Sequence, residues 1–107
     1  MNSRRKGAVG EREIAKYLRD HGYAGKRGQQ FKGGADSPDV EGLPGFHIEV
    51  KRVERLDLQA AMEQSIRDAG DDTPIVVHRR NNDYWKVTMR LDDFMKLIRK
   101  EQTWKDA

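Results

Sequence analysis

No cysteine occurs among the 107 residues, which excludes a disulfide framework, a zinc ribbon and a thiol nucleophile. No apolar run approaches the roughly 18–20 residues of a membrane-spanning helix. The basic opening Met1-Asn2-Ser3-Arg4-Arg5-Lys6 leads into no apolar signal core. A soluble, intracellular protein of the cytoplasm is expected. Apolar residues are scarce, at 36% no more abundant than charged ones. That composition supports one small domain over residues 1–107 with a modest core, to which a dimer contact would add burial. Internal repeats, linkers and low-complexity segments are missing too. Only the ends stand apart, a basic arm over about residues 1–6 and a tail over about 101–107 that is expected to fray.

Positive charge is abundant at one end. Residues 1–35 hold nine Lys/Arg against three acids, a net of +6, whereas residues 36–107 carry a net of −3. A basic first third suits a polyanion such as DNA; a solvated helix face with a basic tail has the same composition. No recognition helix for the major groove stands out, so contacts to backbone phosphates are expected rather than base reading.

Periodicity lays out the elements. Gly7 to His21 reads as a helix, with Ile14, Tyr17, Leu18 and His21 at helical spacing and Gly22 as its stop. Glu11 shares a stripe with Ile14, Ala15 and Leu18, and a carboxylate on a buried face needs an explanation. Either it lies wet in the first turns, against the positive end of the helix dipole, or it points into a metal site. Arg12, Lys16 and Arg19 form a basic stripe facing outward. Tyr23 to Gln30, with Lys26 and Arg27, reads as a strand or strand-loop, and the turn-rich Gly28 to Gly34 carries Lys32. Val40 to Leu43 is a short strand, Pro44-Gly45 a turn, and Phe46 to Val53 the central strand.

Leu56 to Ala69 forms a second helix, capped by Asp57 and ended by Gly70, with Leu58, Ala61, Met62, Ser65, Ile66 and Ala69 inward. Pro74 to Arg79 is a buried β-branched strand, and Tyr84 to Met89 pairs back after Asn81-Asn82-Asp83. Asp92 caps a last helix to about Lys100, with Phe94, Leu97 and Ile98 inward. The order is α-β-β-β-α-β-β-α, an α/β domain with a mixed sheet flanked by helices. Its strand–helix–strand step is expected to be parallel.

The chemistry sits on the central strand. Phe46, Ile48 and Val50 alternate with His47, Glu49 and Lys51, so Glu49 and Lys51 share the face opposite the apolar one. Asp39, after the turn-rich Gly33-Gly34-Ala35-Asp36-Ser37-Pro38, starts a short strand able to run beside it; Asp36 is its substitute. Two carboxylates and an ammonium then converge at one sheet edge. Two hard oxygen ligands suit Mg²⁺, and the Lys positions and polarises an attacking water. His47 on the same face reads as a half-exposed strand residue or as a metal or substrate contact. Gln64 is an exposed helix residue or reaches the site from the second helix. His78 has no ligand-like partner in sequence, and Trp85 and Trp104 read as packing residues.

Pro38-Asp39 followed by Glu49-Val50-Lys51 resembles the signature of the restriction-endonuclease-like nucleases, the PD-(D/E)xK superfamily. A narrower resemblance covers about residues 4–53. Arg5-Lys6-Gly7-Ala8, Glu11-Arg12-Glu13, Leu18, His21-Gly22-Tyr23 and Arg27 are similar to the opening of archaeal-type Holliday-junction resolvases. Those are small, dimeric, Mg²⁺-dependent nucleases also found in viruses. The resemblance implies a restriction-endonuclease-like core that hydrolyses phosphodiester bonds in branched DNA, as a homodimer. It implies Glu11, Asp39, Glu49 and Lys51 as catalytic residues. Asp39, Glu49 and the Val50 backbone carbonyl would hold Mg²⁺, or Mn²⁺ in its place, with Glu11 joining directly or through water. Arg12, Lys16, Arg19, Arg27 and Lys32 form the DNA-contact set, supplemented by Lys26 and the Arg4-Arg5-Lys6 arm. After Lys51 the pattern departs, and the compact helix with Glu63-Gln64 also suits small virus-type nucleases acting in a host cell. The rival readings are a nuclease of flaps, nicks or duplex, and a non-catalytic DNA-binding protein on the same fold.

Overall fold

The structure, a computed structural model, describes residues 3–28 and 37–106. Its elements are α1 (Ser3–Asp20), β1 (Lys26–Arg27), β2 (Val40–Glu41), β3 (Phe46–Arg52), α2 (Leu58–Asp68), β4 (Thr73–Arg79), β5 (Lys86–Thr88) and α3 (Leu91–Asp106). This is the order expected from the sequence. Helix α1 starts four residues earlier than expected, because nothing in Ser3-Arg4-Arg5-Lys6 breaks a helix. Helix α3 runs past Lys100 for the same reason, through Glu101, Gln102 and Lys105. Lys32, Asp36, Gln29 and Gln30 lie outside the described residues.

The five strands form one sheet in the order β1-β2-β3-β4-β5. All neighbours are antiparallel except β3 and β4, which run parallel with Glu49 opposite Val76 and Lys51 opposite His78. Helix α2 is the crossover between those two strands, as the strand–helix–strand pattern predicted.

Strand register separates two faces. Ile14, Ala15 and Leu18 of α1 pack on Val40, Ile48, Val50, Ile75 and Val77, and these form the core. Burying each such side chain contributes about 1.5–3 kcal/mol. Gly10 lets α1 lie close to the sheet, since a Cβ there would stand 3.1 Å from Arg52 Cβ and 3.3 Å from Val50 Cγ1.

On the other face lie His47, Glu49 and Lys51, beneath α2. A half-exposed strand face was one of the two readings for His47; His47 and Glu49 are in fact 3% and 1% exposed. The reason is the small-residue stripe Ala61, Ser65 and Ala69, which brings α2 down onto the sheet. Ser65 Oγ lies 3.2 Å from Ile75 O and 3.4 Å from His47 O, able to donate its one proton to either. Ile66, expected inward, is exposed, because Ser65 and Ala69 already fill the contact. Asp57 caps α2 as expected, accepting from Ala60 N at 3.0 Å.

Helix α3 departs further from expectation. Its first turn contains Asp92 and Asp93, one helical bond runs from Phe94 N to Arg90 O, and Phe94 and Leu97 are exposed rather than inward. No described element offers α3 a substantial packing surface.

Candidate active site

Asp39 sits where β2 meets β3. Its N–H donates to Ile48 O at 2.9 Å, and its carbonyl accepts from Gly28 N at 2.9 Å. Gly28 is required there, because any Cβ would collide with Pro38 O. With the backbone thus pinned, the Asp39 carboxylate reaches across the strand edge and accepts from Val50 N at 2.8 Å. The peptide that joins Glu49 to Val50 is therefore gripped by Asp39.

Glu49 is almost fully buried beside it. Its Oε1 lies 2.9 Å from His47 Nε2, and both side chains are nearly sealed from solvent. Burial first, and then the charge of Asp39, push the Glu49 carboxyl up to about 8; the Lys51 ammonium opposes the rise. A hydrogen bond to Asp39 favours the protonated form of Glu49 in the same direction.

Glu11 completes the cluster from α1. It is 8% exposed and accepts from Arg27 Nε at 3.0 Å. Burial raises its pKa, and the Asp39 charge adds to that, against the lowering effect of Arg27. Because α1 starts at Ser3, Glu11 lies in the helix's third turn, well past the end of the dipole. Of the two sequence readings, the wet first-turn carboxylate fails, because Glu11 is buried and paired with Arg27.

The structure thus brings Glu11, Asp39, Glu49 and Lys51 to one edge. Gln64 is half-buried on α2, but the residue of that helix facing Glu49 is Asp68, one turn further along the same side. A nitrogen of His47 and carboxylate oxygens of Glu49 and Asp68 lie within 4.8 Å of one another. Asp68 was missed in the sequence, although its spacing of four from Gln64 pointed the same way.

The expected DNA-contact residues divide. Arg12 is exposed. Lys16 pairs with Asp20 at 2.7 Å on the surface, and Lys26 with Glu41 at 3.6 Å. Arg19 donates to Gly25 O at 2.8 Å, which ties the end of α1 to the segment before β1, and Arg27 holds Glu11. These two have structural partners that the basic stripe did not reveal.

Glu13 was also missed. Its carboxylate pairs with Arg52 at 3.1 Å and Arg79 at 3.2 Å, and accepts from Trp85 Nε1 at 3.2 Å. Two of these partners lie 66 and 72 residues away, beyond any local pattern. They pin α1 to the ends of β3 and β4. Trp85 is a packing residue, as expected, with the Arg79 guanidinium 5.4 Å from its ring centroid. His78, read as partnerless, faces Thr88 Oγ1 at 2.9 Å.

A mixed sheet between helices, with carboxylates and a lysine gathered at the edge of its central strand, defines a nuclease of the restriction-endonuclease-like fold. The family is narrower than the class. The model of the archaeal Holliday junction resolvase family (Hjc) matches residues 2–66, well over half the chain, and the chain belongs to that family of junction-resolving nucleases. Its fold is similar to that of Archaeoglobus fulgidus Hjc, a Holliday junction resolvase from an archaeal hyperthermophile. The TM-score is 0.59 and the identity 23%, over 78% of this chain and 72% of that one. No curated protein matches the chain.

Proposed function

We propose that this chain is a Mg²⁺-dependent endonuclease that resolves four-way DNA junctions through Glu11, Asp39, Glu49 and Lys51. The observation that carries the reading is the gathering of three carboxylates: Asp39 anchored on Val50 N at 2.8 Å, Glu49 buried beside it, and Glu11 buried on α1 against Arg27. Three crowded carboxylates with hard oxygen donors fit a small divalent cation, whose charge would replace the Glu49 proton. Asp39, Glu49 and the Val50 carbonyl would hold Mg²⁺ or Mn²⁺, with Glu11 joining directly or through water. When bound, the cation supplies charge neutralisation at the scissile phosphate.

The chain's own residues do the rest. Val50 N–H fixes Asp39, and His47 fixes one oxygen of Glu49, so the carboxylates are oriented before substrate arrives. Lys51 orients water for in-line attack and helps deprotonate it. Exposed Arg12 and Lys16, with Lys26, Lys32 and the Arg4-Arg5-Lys6 arm, lie along DNA phosphates. Such binding weakens steeply with salt.

A homodimer is part of the proposal. Among the described residues, seven of the nine exposed large apolar side chains lie in two places. Leu91, Phe94, Met95 and Leu97 are on α3, while Tyr17, Tyr84 and Val87 line an apolar cavity of about 510 Å³ over the α1 side of the sheet. Large exposed apolar surface of this kind fits an association face, and a two-fold partner would cover both. The proposed place of action is the cell interior, where branched DNA arises.

Cleavage of a labelled junction in Mg²⁺ tests the residue assignment. Glu49→Ala and Lys51→Ala should each lower the rate by about 10²–10³-fold or more while junction binding is retained. Near-normal cutting by both variants would refute it.

A further inference from the structure

Strand register places three nitrogen side chains in a single row on the α2 side of the sheet. Lys51 on β3 stands opposite His78 on β4, and His78 opposite Lys86 on β5. Paired residues share a face, and neighbouring strands are about 4.8 Å apart, so the row runs roughly 10 Å outward from Lys51. It ends in a cleft of about 250 Å³ whose lining includes Val53, Leu56, Leu58, His78, Arg80 and Lys86. The cleft thus lies at the far end of a row that starts at Lys51, toward the free edge of the sheet.

Cations dominate the cleft. Arg80 and Lys86 line it against the single carboxylate of Glu54, which is already engaged by Asn81 N at 3.1 Å, while Arg79, also in the wall, is taken up by Glu13. His78 is held toward its neutral form by burial first and then by the Lys86 charge, as a positive field requires. One anion outside the lining competes for them. Asp83 Oδ2 lies 2.7 Å from Lys86 Nζ and 3.9 Å from Arg80 Nε. Solvent and salt screen a surface pair of this kind, so a second anion can displace it. The walls from Leu56 and Leu58 are aliphatic, suited to a sugar face.

We propose that this cleft is a phosphate-backbone subsite, in which Lys86 and Arg80 bind the DNA strand about three nucleotides from the scissile phosphate. The separation follows from the row's length and a rise of about 3.4 Å per nucleotide. The proposal rests on the nuclease reading for the placement of Lys51. Asp83 holds the two cations in the free protein and yields them to DNA.

The test is the salt dependence of binding to a fluorescein-labelled four-way junction, in EDTA, for the full chain. Lys86→Gln and Arg80→Gln should each weaken binding about 3–10-fold and flatten the slope of log K against log [salt] by about 0.9. Their cutting rate at saturating DNA in Mg²⁺ should stay within about twofold of wild type. Asp83→Asn should tighten binding about 3-fold or more, a gain that misfolding cannot produce. Unchanged slopes in both cation variants, or weaker binding by Asp83→Asn, would overturn the subsite. If the wild type cuts junctions and the slopes do not move, the subsite falls and the nuclease reading stands. If the wild type cuts nothing, the nuclease reading falls and the slopes still decide whether DNA lies in the cleft.

Discussion

At the scale of single residues, the site is a set of charges that the free protein holds at a cost. Glu49 titrates near 8 in the folded chain and near 4.3 when unfolded, so its contribution to stability is fully present below the unfolded value. That contribution is lost as pH rises toward 8, and Glu11, also raised, acts with the same sign. In EDTA the protein should therefore melt at a lower temperature at pH 8 than at pH 5.5, by roughly 5–10 °C. Glu49→Gln should flatten that dependence; a thermal scan in which the variant keeps the full slope would contradict the assignment. On the proposed Mg²⁺ site the cation would displace the Glu49 proton, so its apparent affinity should fall about tenfold per pH unit below 8, read by calorimetry. A pH-independent affinity would mean that Glu49 is not a ligand.

The four residues proposed as catalytic stand out in the sequence because each carries a local signal. Glu49 and Lys51 lie on one face of an alternating strand, Asp39 follows a proline-bearing turn, and Glu11 interrupts an apolar helix stripe. Asp68 and Glu13 had no such signal. Their partners come from other elements, and only the fold brings them together.

At the scale of elements, α1 is held from two sides. Glu11 pairs with Arg27 of β1, while Glu13 pairs with Arg52 and Arg79 at the ends of β3 and β4. The position of Glu11 over Asp39 depends on both. Glu13→Ala leaves two mostly buried guanidinium groups without their shared carboxylate and should cost about 2–3 kcal/mol in urea unfolding. A loss under about 0.5 kcal/mol would show that the cluster does not anchor the helix. The existence and order of the elements were readable because the hydrophobic period switches cleanly between 3.6 and 2. The burial of the catalytic face was not readable. A strand with polar residues on one face looks half-exposed, and only the small side chains of α2 reveal how closely a helix covers it.

At the scale of the whole molecule, the apolar surface left exposed is the main unpaired feature. The chain measures 50 × 28 × 27 Å, and its radius of gyration of 14.3 Å exceeds the roughly 13 Å of a compact domain this size. A long α3 with little packed against it fits that shape. The sequence reading turned Phe94 and Leu97 inward because an amphipathic helix is normally covered by its own domain; a partner's surface does equally well. Light scattering should find two chains per particle at micromolar concentration, and Phe94→Asp with Leu97→Asp should give one. A monomeric wild type, or a dimeric double variant, would remove α3 from the interface. The proposed dimer would set the geometry of cutting, since two sites related by a two-fold axis would incise opposite strands of a junction symmetrically.

The most direct measurement is strand-by-strand mapping of cleavage in Mg²⁺ on a four-way junction, beside a flap, a nicked duplex and an intact duplex. Glu49→Ala serves as the control. The account predicts paired, symmetric nicks in the junction, little cutting of the other substrates, and no cutting by the variant. Equal cutting of flap or duplex, or nicks that persist in Glu49→Ala, would contradict it.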